Sequence, residues 1–377
     1  MSETLSKIPD GLRYYSGHEA RLRRTVQETA MTVFDGWSYD EIITPTLDYF
    51  SLFERVMGAE AHHAFRFTDT DGRLLALRPD VTSGIARLAA TLFAGRQRPL
   101  RLCYSAPVFH QQVQSSIDWR RESTQVGCEL LGRPGLVADI EVLLIAVEIL
   151  KKLALKDAFV ITINEVEIFN GVADNLGLDR AARDQLRKLV DGRNVVDLED
   201  FLKPLVSNEE SHAFAQLIRL SGKFETIEHA RRVITNERSA AALDRVEGLW
   251  RAIESLGLEG NFEIDLGDVA RLDYYTGLTF KIYATGAGGR VGSGGRYDNL
   301  TANFGAPEPA VGFVLDLDAL AGLLLADQRE STWKTPQESS QRIVNRDPVT
   351  LFSDAVERRR RGERVSIDLS EEVAWQN

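Results

Sequence analysis

The sequence is poor in cysteine. Its 377 residues hold two, Cys103 and Cys128, with no Cys-x-x-Cys spacing. That excludes a disulfide framework and a thiolate metal centre, and leaves buried free thiols in a reducing compartment as the expectation. Long apolar runs are missing as well. The richest stretch, Val142–Val147, is far shorter than the roughly 20 residues of a bilayer-spanning helix. The opening residues, MSETLSKIPDGLRYY, lack the apolar centre of a secretory signal. A cytoplasmic protein with no membrane partner follows. There is no basic surplus: the formal net charge is −11. Proteins that grip nucleic acid usually present a basic face, because neutralising phosphates drives much of their affinity. The one basic run, Arg358–Arg361 with Arg364 nearby, reads as a solvated helix end. No nucleic-acid partner is therefore expected. His62-His63 has no companion at metal-ligand spacing, and no Gly-x-x-x-x-Gly-Lys-Ser/Thr occurs, so neither a metal nor a cofactor is expected.

What is present is an ordinary globular composition, 44% hydrophobic and 27% charged, in a chain long enough for two domains. Ser16-Gly17-His18-Glu19 fits a capping box, and Leu22, Val26, Ala30 and Val33 follow at helical spacing. Glu41–Pro45 reads as a strand stopped by proline. Residues 64–78 read as a hairpin turning at Asp71-Gly72, with a helix from about Thr82 to Phe93. Strands are expected at Arg101–Phe109, Gln125–Leu131 and Phe159–Asn164, with an apolar helix over 136–154. From about 166 to 260 strand signals vanish, and Leu, Ala, Arg and Glu recur at helical spacing with breaks at Gly192 and Gly222. Strands return at Phe262–Leu266, Leu278–Tyr283 and Ala310–Leu315, followed by a helix from about Leu317. The glycines of Gly286–Gly289 and Gly292–Gly295 read as tight turns and close backbone packing rather than a phosphate cradle. Gln328–Pro348 is polar and reads as a linker; 349–369 suggest one helix and one short strand, VSIDL. The pattern is α+β: a mainly antiparallel sheet flanked by helices and interrupted by an all-helical insertion.

Four segments, in order, resemble the core of class II histidyl-tRNA synthetases. They are Arg78-Pro79-Asp80-Val81-Thr82; the stretch from Arg101-Leu102-Cys103-Tyr104 to Arg121-Glu122-Ser123-Thr124-Gln125-Val126-Gly127-Cys128-Glu129; Leu272-Asp273-Tyr274-Tyr275-Thr276-Gly277 with Gly294-Gly295-Arg296-Tyr297-Asp298; and Pro309-Ala310-Val311-Gly312-Phe313. The resemblance covers roughly residues 8–325. It implies a synthetase-like core at 1–165 and 262–325, a helical insertion at 166–261, and at 326–377 a linker with a truncated remnant of the family's anticodon-binding module. The segment ending at Pro45 is similar to the family's dimer-forming motif, which implies a homodimer.

The departures from the family pattern carry the functional expectation. Activating an amino acid builds negative charge on the α-phosphate of ATP, and planar guanidinium groups are its natural stabilisers. In the family one arginine follows the phenylalanine of motif 2; here Phe109 is followed by His110, and Gln112 replaces an acid. Ala319 replaces the arginine that closes motif 3, and Ala270 replaces one before the LDYY segment. Losing one such contact costs about 10²–10³ in rate, so losing several leaves nothing useful. The amino-acid pocket is kept. Asp80, Thr82 and Gln125 match the residues that hold the histidine ammonium, and Glu129 and Tyr275 match those that read the imidazole. Arg121 and Arg271 complete the candidate histidine-binding set, with Arg271, Arg296 or Gln125 expected to take over the ligand carboxylate. No catalytic residue is assigned. The combination resembles the regulatory subunits of ATP phosphoribosyltransferase. That implies a chain without catalysis of its own, partnered with a short-form catalytic subunit in a hetero-octamer and with free histidine as effector. The alternative is a divergent histidyl-tRNA synthetase-like enzyme that activates an amino acid.

Overall fold

The structure is a computed structural model, and it describes residues 7–111, 120–155, 158–207, 215, 219–234, 236–268, 274–330, 341–343 and 347–367. Among these residues, no helix is long and apolar enough to cross a membrane. Residues 1–323 form one compact unit and residues 324–377 a second.

The first unit opens with α1 (Gly17–Gly36), which buries Leu22, Val26, Ala30, Val33 and Phe34 along one face. Ser16 is its N-cap, but the expected capping box does not form: the Ser16 side chain makes no cap bond, and Glu19 pairs instead with Arg13. A two-residue strand β1 (Asp40–Glu41) follows. It is shorter than the sequence suggested, because the Thr44 and Pro45 carbonyls turn away to accept from the Arg78 guanidinium. Strands β2 (Leu47–Tyr49), β3 (Arg66–Thr68) and β4 (Leu74–Leu77) build a small antiparallel sheet, with α2 (Phe50–Met57) inside it in sequence. The hairpin turns where expected, with Gly72 at φ +83, a conformation that suits glycine. Helix α3 (Thr82–Ala90) then leads to the long strands β5 (Leu100–Phe109) and β6 (Glu122–Leu131), helix α4 (Leu136–Lys152) and β7 (Phe159–Glu165). Cys103 and Cys128 face each other across β5 and β6 as buried free thiols.

Helices α5 (Val166–Asn175), α6 (Arg180–Asp191), α7 (Val195–Leu202), α8 (Glu225–Val233) and α9 (Glu237–Ser255) follow, with the two-residue strand β8 (Ser221–Gly222) among them. Phe169, Ala173, Leu186, Val190, Leu198 and Leu202 give this stretch a core cluster of its own. The main sheet resumes with β9 (Phe262–Asp265), β10 (Leu278–Ala284), β11 (Arg290–Arg296) and β12 (Ala310–Asp316), and α10 (Leu317–Glu330) ends the run. The strand order is β1-β5-β6-β12-β11-β10-β7-β9-β8. All neighbours are antiparallel except β1/β5 and β7/β9. Two parallel neighbours need a crossover connection, and the helices from Val166 onward fill the one between β7 and β9.

The second unit is a small βαβ arrangement: β13 (Gln341–Ile343), α11 (Pro348–Arg360) and β14 (Val365–Ile367), with the two strands parallel. The helix and the last strand were legible in the sequence. β13 falls in the stretch read as linker.

Arg78 ties the small sheet to the large one. It is 5% exposed and donates to the carbonyls of Pro107 (2.7 Å) and Thr44 (2.7 Å). Burial lowers its pKa, so its charge is tolerated only through these acceptors. Arg78→Met is expected to lower unfolding free energy by about 2–4 kcal/mol, since the part-buried carbonyls of Pro107 and Thr44 lose their donor. Chemical denaturation of the two proteins checks this; an unchanged midpoint would refute it.

Candidate functional site

The main sheet carries a cavity of about 520 Å³ on one face. Strand register sets its floor. Glu129 of β6 stands beside Gly312 of β12, which stands beside Gly295 of β11 and then Thr279 of β10. Two residues along the same face come Gly127, Val314, Ser293 and Lys281. The glycines on this floor make room for other side chains. A Cβ on Gly312 would lie 1.8 Å from the Glu129 Oε2, one on Gly127 would lie 2.7 Å from the Tyr104 hydroxyl, and one on Gly295 would lie 2.8 Å from the Tyr275 ring. The close backbone packing expected for Gly292–Gly295 is thus met, but inside a strand, β11, that the sequence reading missed. Glycine weakens strand propensity, and here the demand for space overrides that.

Glu129 is 2% exposed. Its carboxylate accepts from Thr82 Oγ1 at 2.7 Å, from the Tyr104 hydroxyl at 3.3 Å and from the Tyr297 hydroxyl. Burial pushes its pKa up to about 7, against the pull of those three hydroxyls. Asp80 lies at the entrance to α3. One of its oxygens accepts from the Ser83 amide at 3.4 Å; the other, Oδ1, is buried and meets no hydrogen-bond partner. Burial raises its pKa to about 6. The rings of Tyr274 and Tyr275 lie 4.9 Å apart and tilted by 49°, and burial raises the pKa of both hydroxyls, that of Tyr275 to about 12. The cavity wall thus carries a buried carboxylate with a vacant acceptor, Asp80, beside a phenol and a threonine hydroxyl, and a second buried carboxylate, Glu129, lies behind that threonine. Such a set suits a small ligand that carries an ammonium and further N–H donors.

Asp80, Thr82, Gln125 and Tyr275 all line the cavity, and Glu129 closes its floor behind Thr82. Arg121 does not line it. Its amide donates to the Gly11 carbonyl, its carbonyl accepts from the His110 amide, and its Nε is buried without a partner. Its neighbour Arg120 reaches the cavity instead, held by Asp316 at 2.6 and 3.3 Å. Arg296 is turned away: it donates to Asp139 at 2.5 Å, to Asp298 at 3.1 Å and to the Gly135 carbonyl. It is therefore committed and does not serve a ligand carboxylate. Arg271, with Ala270 and Gln112, lies outside the described residues. The sequence reading missed Tyr104, Tyr297, Arg120 and Lys281. Lys281 was within reach, since it alternates with Thr279 on one strand face.

The far end of the cavity carries acids. The Ala319 amide donates to Asp316 (2.9 Å), which caps α10, and Asp318 accepts from the Thr124 amide (2.8 Å) and pairs with Arg23. His110 lines the same region. The two carboxylates are matched to Arg120 and Arg23. No group of three or more His, Cys, Asp or Glu able to hold a metal ion occurs among the described residues.

The histidyl-tRNA synthetase family model matches residues 11–320. ATP phosphoribosyltransferase regulatory subunits from Moorella thermoacetica and Desulforamulus reducens are each 35% identical to the chain. The first alignment spans 96% of this chain and 92% of the relative, the second 84% and 79%. A crystal structure described as an ATP phosphoribosyltransferase regulatory subunit/histidyl-tRNA synthetase from Bacillus halodurans superposes with a TM-score of 0.87 at 29% identity, covering 99% of this chain and 96% of that one. The chain belongs to the ATP phosphoribosyltransferase regulatory subunit family. The family shares the synthetase fold: a histidyl-tRNA synthetase from a Nostoc species, only 20% identical, superposes with a TM-score of 0.79. In this regulatory-subunit chain, the α+β fold expected from the sequence is the one observed.

The Glu129 carboxyl links the site to stability. Its folded pKa of about 7 lies above its ordinary value of 4.5, so burial favours the protonated form. That stability is fully present below pH 4.5 and is lost as pH rises through 7. Relative to Glu129→Gln, the ligand-free protein is expected to lose about 3 kcal/mol over that window. Denaturation curves at stepped pH check this; parallel pH profiles would refute it.

Proposed function

We propose that this chain is the non-catalytic regulatory subunit that activates a short ATP phosphoribosyltransferase catalytic subunit in the first step of histidine biosynthesis. In this reading free histidine, bound in the Glu129 cavity, delivers feedback inhibition. One observation carries it: the amino-acid end of the cavity is equipped, while the phosphate end is not. Asp80 offers a vacant buried acceptor for an ammonium, Tyr275 lines the space for an imidazole, and Glu129 stands at its floor behind Thr82. At the other end His110 and Ala319 stand where the resemblance puts arginines, beside Asp316 and Asp318. A site built to hydrogen-bond polar groups rejects analogues that lack them, because its own buried groups are left unpaired. Phenylalanine and leucine would satisfy Asp80 through their ammonium but leave Glu129 without an imidazole partner.

The chain acts as a homodimer inside a hetero-octamer with four catalytic subunits. Support comes from an apolar groove beside β1 and α3, where Ile43 is 89% and Leu92 82% exposed. Side chains of this size left in water mark an interaction surface when they adjoin one another.

Two outcomes are expected. Histidine-dependent exchange of pyrophosphate into ATP should stay at background; exchange above background would support the amino-acid-activating alternative. Mixed with a short catalytic subunit, the chain should raise phosphoribosyltransferase activity and make it histidine-sensitive. With Glu129→Gln the activation should persist, and the histidine concentration for half-inhibition should rise about ten- to a hundredfold. Equal inhibition of both complexes would place the sensing site elsewhere.

A further inference from the structure

A bound histidine has three polar groups, and the residues named above serve two of them. The carboxylate needs a cation, and a carboxylate left beside Asp80 and Glu129 without one would be repelled. Resting on the histidine reading of the cavity, we propose that Lys281 receives the α-carboxylate of the ligand and thereby selects a free amino acid over analogues with a neutral head group.

The register of the sheet singles out this side chain. The imidazole-reading groups sit over the first row of the floor: Glu129 over Gly312, Tyr275 over Gly295. The next row, about 7 Å along the strands, holds Gly127, Val314, Ser293 and Lys281. Lys281 is the cation of that row, and Ser293 beside it adds a hydroxyl. The other cavity cations stand a row further on. Arg290 pairs in register with Tyr283 at the strand end, and Arg120 is fixed by Asp316, which faces Gln125. The carboxylate of histidine lies within one row spacing of its ring, which puts Lys281 within reach.

The setting of Lys281 argues for a ligand as well. β10 is paired on both sides, with β7 and β11. A lysine in the middle of such a strand is costly to keep unless it is paired. Its partner is Asp268, two positions before Ala270 in the sequence, and Asp268 is itself anchored where its carbonyl accepts from Asn164 at 2.7 Å. An ammonium has three donors. Asp268 orients the group and leaves donors for a second carboxylate. The side chain remains 22% exposed, and it lines the cavity.

The test is isothermal titration of L-histidine and L-histidinol, in which an alcohol replaces the carboxylate, into the full-length chain and two variants. Wild type should bind histidine at least about tenfold tighter than histidinol. Lys281→Met should weaken histidine about ten- to a hundredfold while leaving histidinol nearly unchanged. Lys281→Arg should restore most of the preference. Loss of both ligands in parallel would show a structural role for Lys281 and overturn the proposal, as would an unchanged preference in Lys281→Met. A wild type that binds neither ligand would overturn the histidine site itself, and this assignment with it.

Discussion

Glu129 is a buried carboxylate in the middle of a central strand, and much of the local sequence exists to make that tolerable. An isolated buried charge costs many kcal/mol, so it must be hydrogen-bonded or protonated. Three hydroxyls meet it: Thr82 from the start of α3, Tyr104 from β5 and Tyr297 from just beyond β11. Each needs space, and the glycines supply it. Gly312 gives way to the carboxylate itself, Gly127 to the Tyr104 hydroxyl. Removing any one of these residues disturbs the others, because the group they share has no water to turn to. The raised pKa of Glu129 is the residual cost of its burial.

That cost makes sense only if a ligand completes the network. A protein core could hold a leucine at position 129 with less strain on its neighbours. What persists is a hydrogen-bonded carboxylate at the floor of a cavity, together with Asp80, which lines it and whose Oδ1 has no partner. At the opposite end the change runs the other way. Asp316 and Asp318 are matched by Arg120 and Arg23 and bind backbone amides of their own surroundings. Charges there are spent on holding α1, the β6 strand and α10 together. In the proposed reading the cavity keeps the half that reads a small amino acid, while the other half serves structure.

Much of this was legible beforehand. Helical spacing placed Leu22, Val26, Ala30 and Val33 on the buried face of α1; β5, β10 and β12 stood out within a residue of their observed ends, and β6 within three. What failed did so for identifiable reasons. β11 was hidden because Gly292, Gly294 and Gly295 read as turns, and only the side chains that fill their space reveal a strand. The capping box failed because Arg13 competes for Glu19. Arg296 looked like a candidate anion ligand in the sequence; its partner Asp139 is 157 residues away, which no local pattern shows. Lys281 escaped notice because a lysine in a strand usually signals a solvated edge, whereas β10 lies between two paired neighbours.

Regulation demands more than binding. A ligand that binds two states equally shifts nothing, however tightly it is held. If histidine is the effector, as proposed, it must meet groups whose positions differ between an active and an inhibited assembly. Helix α3 is where the geometry allows such a difference to be felt. Its first residue, Thr82, donates to Glu129 inside the cavity. Its opposite side, with Gly84, Leu88 and Thr91, lines the apolar groove that carries Ile43 and Leu92, and Asp80 borders both spaces. Packed helices respond to small displacements by moving as units, since close-packed interiors transmit strain rather than absorb it. Filling the vacant acceptor of Asp80 and drawing Thr82 toward a liganded Glu129 act on one end of α3, and the groove sits on the other side of the same nine residues. A single short helix thus borders both the proposed effector cavity and the exposed apolar groove.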